Sequence, residues 1–218
     1  MKKNIELKGL VPILSPGHGG MVNGHYTTSG KRSPKEMGDK VLYEGAFNRW
    51  IINQLIQRCD EEQIPYYHAF PEYKEISPMQ TLIVKKDRSD EIYDNNPKTW
   101  MLELHANAGR GTGMEGFTSR GFTNADPIAE LCLTNLAEDL GEHVLRKDGK
   151  DGDLDKEAGF WILRKAKCPV FLFEVGFMDS KKDYDRLWSR DFQSRVVESL
   201  FGSIKEMYHG TTISIEVN

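Results

Sequence analysis

Four short stretches of this chain carry side chains able to bind a metal ion or move a proton. They are Ser15-Pro16-Gly17-His18-Gly19-Gly20, Glu44 at the head of a long helical pattern, Leu104-His105-Ala106-Asn107-Ala108, and Phe173-Glu174-Val175-Gly176-Phe177. Two imidazoles and one carboxylate are a common protein ligand set for catalytic zinc, with water in the fourth position. His18, Glu44 and His105 can supply that set. Glu174 is then free to take the proton from the water. The chemistry proposed is hydrolysis.

Each of these groups needs an element to bring it in. A short buried strand is expected over 11–15, followed by a long Gly-, Ser- and Lys-rich loop over 16–43. Loops of that length in compact domains are often functional. Phe47, Trp50, Ile51, Leu55 and Cys59 repeat at helical spacing and predict a helix over 44–63. Strands are expected over 65–70, 99–105, 114–119 and 170–174. Helices are expected over 78–93, from Asn124 or Asp126 to about Val144, and over 189–207. The segment 160–163 reads as a short strand or turn, and 147–155 as a polar, solvated turn. Alternating strands and helices imply an α/β sheet covered on both faces, in a single domain spanning 1–218 with its core at about 11–207.

Ligands of open α/β sheets bind beyond the carboxyl ends of the strands. His18 lies just past the first strand, His105 ends the third and Glu174 ends the last, so the three should share one sheet edge. Glu44 shares a helix face with Phe47, Ile51 and Leu55. That face should turn inward, where a carboxylate is costly unless paired or coordinated. Each residue alone also has a plain structural reading. His18 could brace its own turn, His105 could be a satisfied strand-end histidine, Glu44 a helix-terminal acid, and Glu174 half of an ion pair. Four such explanations must hold together for the site to be absent.

Other groups bear less weight. His25, His68, His143 and His209 have no ligand spacing. Glu103 shares a strand face with His105 and reads as half of a salt bridge, or as a group orienting the histidine. The chain has 218 residues, a net charge of -4 and three scattered cysteines. No basic tract invites nucleic acid, no Cys pair suggests a disulfide framework, and no apolar run reaches membrane-spanning length. The start lacks the apolar stretch of a secretory signal.

At the four motifs the chain resembles the zinc-dependent N-acetylmuramoyl-L-alanine amidases of the Amidase_3 type. The resemblance rests on Pro16 to Gly20 after a strand, Glu44 followed by Asn48, His105 to Ala108 ending a strand, and Pro169 through Glu174 to Phe177. It implies a twisted, mostly parallel sheet flanked by helices, Zn2+ held by His18, Glu44 and His105, and Glu174 as catalytic acid/base. Arg164 and Asn107 become candidate substrate contacts. There are departures. Ser15 stands where the family usually has Asp, and Glu103 where a small Ser is common. Asp179-Ser180 replaces a more usual Ser-Asn, and the loop carries Lys31-Arg32-Ser33-Pro34-Lys35-Glu36.

The implied reaction is cleavage of the amide between N-acetylmuramic acid and L-alanine in peptidoglycan. A zinc peptidase or deacylase acting on a small peptide or acyl amino acid is the nearest rival, and a non-catalytic peptidoglycan-binding module is another. The expected partner is peptidoglycan, with no nucleic acid, no membrane insertion and a monomeric state. A chain made in the cytoplasm without a signal peptide but acting on the cell wall suits a phage-type lysin or a bacterial enzyme exported by another route.

Overall fold

The computed structural model describes residues 2–141, 144–147 and 153–216. In chain order its elements are β1 (Lys2–Leu7), β2 (Val11–Pro16), β3 (Met21–Val22), β4 (His25–Tyr26), α1 (Glu44–Glu61), β5 (Tyr67–His68), α2 (Pro78–Asn95), β6 (Thr99–Asn107), β7 (Glu115–Thr118), α3 (Asp126–Leu140), β8 (Lys156–Glu157), α4 (Trp161–Lys165), β9 (Val170–Phe177), α5 (Lys181–Trp188), α6 (Arg190–His209) and β10 (Thr211–Glu216). The main sheet has the order β5-β2-β6-β9-β7-β8. Its pairings are parallel except for β7 against β9.

Period-two alternation along the central strands builds two apolar layers. Leu14, Leu102, Leu104, Phe171 and Phe173 face one layer, completed by Ile51 and Leu55 of α1, Leu133 and Leu136 of α3, and Leu200 and Ile204 of α6. Ile13, Met101, Val170 and Leu172 face the other, completed by Leu82 and Ile92 of α2 and Ile162 and Leu163 of α4. Ser15, Glu103, His105 and Glu174 share the parity of that second set. Their side chains therefore emerge on the α2/α4 side, at the carboxyl ends of β2, β6 and β9. This is a mostly parallel sheet flanked by helices on both faces.

Local chemistry sets the helix ends. Ser77 caps α2 by accepting from Gln80 N, with Pro78 in the first turn. Gly141, at φ 95°, ends α3 after Leu140, short of the expected Val144. Segment 160–163, expected as strand or turn, is the start of α4, whose five residues are too few to show helical periodicity. In the expected strand 65–70 only Tyr67–His68 pairs. The 16–43 loop holds the small β3–β4 hairpin and a 3-10 turn at Lys35–Met37. β1 and β10 pair with each other, antiparallel over six residues, outside the main sheet. His143 and residues 148–152 of the polar turn lie outside the described residues. Cys59, Cys132 and Cys168 are buried and free. No described helix is long and apolar enough to cross a membrane.

Candidate active site

The His18 loop leaves the sheet under tight constraint. Gly17 N donates to Leu104 O at 2.7 Å, lashing the end of β2 to β6. A Cβ at Gly17 would sit 2.5 Å from the His105 ring, so only glycine lets the two segments approach. His18 itself has φ 62°, unusual for a residue with a Cβ. Asn48 Nδ2 donates to Gly17 O at 3.1 Å and Arg49 donates to His18 O at 3.0 Å. Both donors lie in the first turns of α1, the helix that Glu44 opens. Tyr26 OH accepts from Gly45 N at 2.8 Å and Lys31 O accepts from Glu44 N at 3.0 Å, so the loop also covers that helix end.

Glu44 is 3% exposed, and its face-mates Phe47, Ile51 and Leu55 are buried as expected. Its Oε1 lies 2.9 Å from His105 Nδ1 and 3.3 Å from His18 Nε2. The two rings meet edge to face, centroids 5.1 Å apart. One ligand atom from each of His18, Glu44 and His105 falls within 4.8 Å of the others, a spacing that could hold a metal ion. Burial alone would raise the Glu44 carboxyl, but hydrogen bonds to His105 and His18 prevail and hold it well below the carboxylate range. Burial alone would lower His105, but hydrogen bonds to Glu103 and Glu44 push it up to about 10. The cluster thus asks for positive charge at its centre, from protons or from a cation.

Glu174 stands beside His105 in register across the β6–β9 pair. Its Oε2 is buried and has no hydrogen-bond partner among the described residues. Burial pushes its carboxyl up to about 7, with Glu44 and Glu115 adding to the rise and His105 opposing it. A carboxyl poised near neutrality, with an oxygen free to accept, suits proton transfer.

Further carboxylates back the histidines. Glu103 Oε1 is 3.2 Å from His105 Nε2, and Glu75 Oε1 is 3.6 Å from His18 Nδ1. Glu103 also accepts from Lys85 Nζ at 2.6 Å and from Ser15 Oγ. Both readings of Glu103, salt bridge and orienting group, thus have a contact. Glu75 and Lys85 were not foreseen from the sequence. Glu75 sits in an irregular polar segment that reads as exposed surface, and Lys85 on a helix that should offer its charges to solvent.

These groups open into a cavity of ≈ 590 Å³ whose rim includes Lys31, Arg32, Leu82, Phe160 and Trp161. Asn107 lines the cavity and donates to Glu115 Oε2 at 2.7 Å. Arg164 is not brought in. It is exposed on α4, and its Nε donates to Gly159 O at 2.9 Å. Charged residues (His18, Lys31, Arg32, Glu44) and apolar ones (Leu82, Phe160, Trp161, Leu172) both line this cavity.

The chain is similar to an uncharacterized cell wall amidase of Bacillus anthracis, 24% identical over 209 residues, covering 95% of this chain and 37% of that protein. It is similar to the N-acetylmuramoyl-L-alanine amidase CwlM of Bacillus licheniformis, 29% identical over 126 residues, covering 56% of this chain and 47% of that protein. The chain thus spans less than half the length of these relatives. In fold it resembles the CwlD amidase of Clostridioides difficile, solved in complex with the GerS lipoprotein. That likeness has a TM-score of 0.66 and 16% identity, covering 91% of this chain and 98% of the other. Residues 13–206 match the Amidase_3 family, described as N-acetylmuramoyl-L-alanine amidase, and the chain belongs to that family.

Proposed function

We propose that this protein is a zinc-dependent N-acetylmuramoyl-L-alanine amidase acting on peptidoglycan at the cell wall. The observation that carries the reading is the meeting of His18, Glu44 and His105 at one point beside the unpartnered, buried Oε2 of Glu174. Two imidazoles and a carboxylate suit Zn2+, and the backing of His105 by Glu103 supplies the carboxylate–histidine arrangement common at such sites. The donor set therefore fits the ion.

Zinc bound there would supply Lewis acidity toward the amide carbonyl and a water activated near neutral pH. The chain's own residues do the rest. Glu174 accepts the proton of the attacking water and delivers it to the departing amine of L-alanine. Glu44 and the two histidines keep their donor atoms converged. Asn107 and the rim of the cavity hold the sugar–peptide junction against the reacting groups.

The test is digestion of purified peptidoglycan with and without a chelator, followed by mass identification of the new chain ends. New L-alanine amino termini without new reducing sugar ends, abolished by chelation and restored by Zn2+, are expected. Chelator-insensitive digestion, or cleavage only between peptide residues, would overturn the assignment.

A further inference from the structure

Lys85 is 1% exposed and Glu103 0%, and the two meet at 2.6 Å beneath the proposed metal site. Taking both charges out of water is costly, and apolar residues of similar size often serve stability as well. A pair kept in such a place invites a role other than stability. Its contacts suggest one. Glu103 Oε1 touches both Lys85 Nζ and His105 Nε2, while Oε2 accepts from Ser15 Oγ. Lys85 Nζ also donates to Pro16 O at 2.6 Å, two residues before His18. One ammonium therefore bridges the ends of β2 and β6, the strands that carry the two histidines.

We propose that Lys85 and Glu103 form a buried positioning pair that presets both histidines for the metal. The inference rests on the metal-site reading above. His105 uses its ring nitrogens at opposite ends: Nδ1 faces Glu44 Oε1 at 2.9 Å and Nε2 faces Glu103 Oε1 at 3.2 Å. With its hydrogen on Nε2, the ring would donate to Glu103 and leave the Nδ1 lone pair, on the Glu44 side, available to a metal ion. Glu103 is itself held at both oxygens, so it cannot swing away. Lys85 balances its charge and pins the backbone from which His18 projects. Ser15 and Glu103 are register partners on β2 and β6. The carboxylate that braces this site thus stands on β6, the strand of His105, and the hydroxyl on β2.

A purely structural ion pair makes a different prediction, and zinc affinity separates the two. The readouts are competition of the whole purified chain against a chromophoric chelator and thermal unfolding of the metal-free form. Glu103→Gln keeps the shape and the contact with Ser15 but removes the charge. It should lower zinc affinity about 10-fold to 100-fold. The double variant Lys85→Met with Glu103→Leu removes both charges together. Its metal-free form should melt near the wild-type temperature, because relief of two buried charges offsets the partners lost by Ser15 Oγ and Pro16 O, while its zinc affinity stays reduced by a similar factor. Wild-type affinity in both variants would overturn the positioning role and leave the pair a packing element. A wild-type chain that takes up no zinc would instead overturn the metal reading, and this inference with it.

Discussion

Glu174 Oε2 is a buried acceptor without a donor among the described residues, and burial is the main reason its carboxyl rises to about 7. Such a group costs folding energy, and its retention makes sense if it handles a proton. Glu174→Gln keeps the volume and removes the basic oxygen. We expect that variant to fold at least as stably, to bind zinc, and to lose about 10²–10⁴-fold in peptidoglycan hydrolysis. Zinc uptake and hydrolysis measured on one preparation check this. Near-normal turnover would remove Glu174 from the chemistry. His18, Glu44, His105 and Glu174 were legible because each sat at a strand or helix end that the apolar pattern located. Glu75 was not, since nothing local marks a loop carboxylate that folds back to 8% exposure. Arg164 is a candidate only through the family resemblance, and α4 turns it to Gly159 and solvent.

At the scale of elements, the decisive contact joins α1 to the His18 loop. A Cβ on Gly45 would lie 1.7 Å from Gly19 O, a backbone atom that cannot step aside cheaply. Gly45→Ala should push the first turn of α1, with Glu44, away from His18. A stability loss of about 1–3 kcal/mol is expected, together with weaker zinc binding, read by chemical denaturation and chelator competition. Wild-type values for both would show that the approach is looser than the geometry implies. The long helices were readable because α1, α3 and α6 bury apolar stripes. α2 was readable as a helix, but its inward face was not. Its buried residues are Thr81, Lys85, Ser89 and Asp90; Lys85 meets Glu103, and Asp90 accepts from Lys167 N beside Cys168. Apolar periodicity has no means of seeing a face chosen by a buried charge. α5 carries mostly charged residues around Tyr184 and Leu187. β1 and β10 alternate only over a few residues, and their partners are about two hundred positions away in sequence.

At the scale of the whole molecule, the described residues hold a second acidic cluster, away in sequence from the histidines. Asp126, Asp153 and Asp155 each place an oxygen within 4.8 Å of the others. Burial is the main cause that pushes Asp155 up to about 8, with Asp153, Asp126 and Glu130 adding repulsion and the hydrogen bond from Thr118 opposing it. The ordinary aspartate value, 3.8, applies to the unfolded chain. Between those values the folded protein holds a proton that the unfolded chain has released. Unfolding then releases a proton, so stability falls as pH rises from about 4 to about 8 and levels off above. Asp155→Asn keeps an acceptor for Thr118 Oγ1 and abolishes this ionisation. The variant should match the wild type near pH 4 and exceed it near pH 8 by an amount on the order of 1–3 kcal/mol. Denaturation midpoints across that range, taken without divalent ions, give the comparison. Parallel stability curves for the two proteins would mean that Asp155 ionises in the fold without penalty. A gap that opens with pH would show that Asp155 carries a standing electrostatic cost once it ionises.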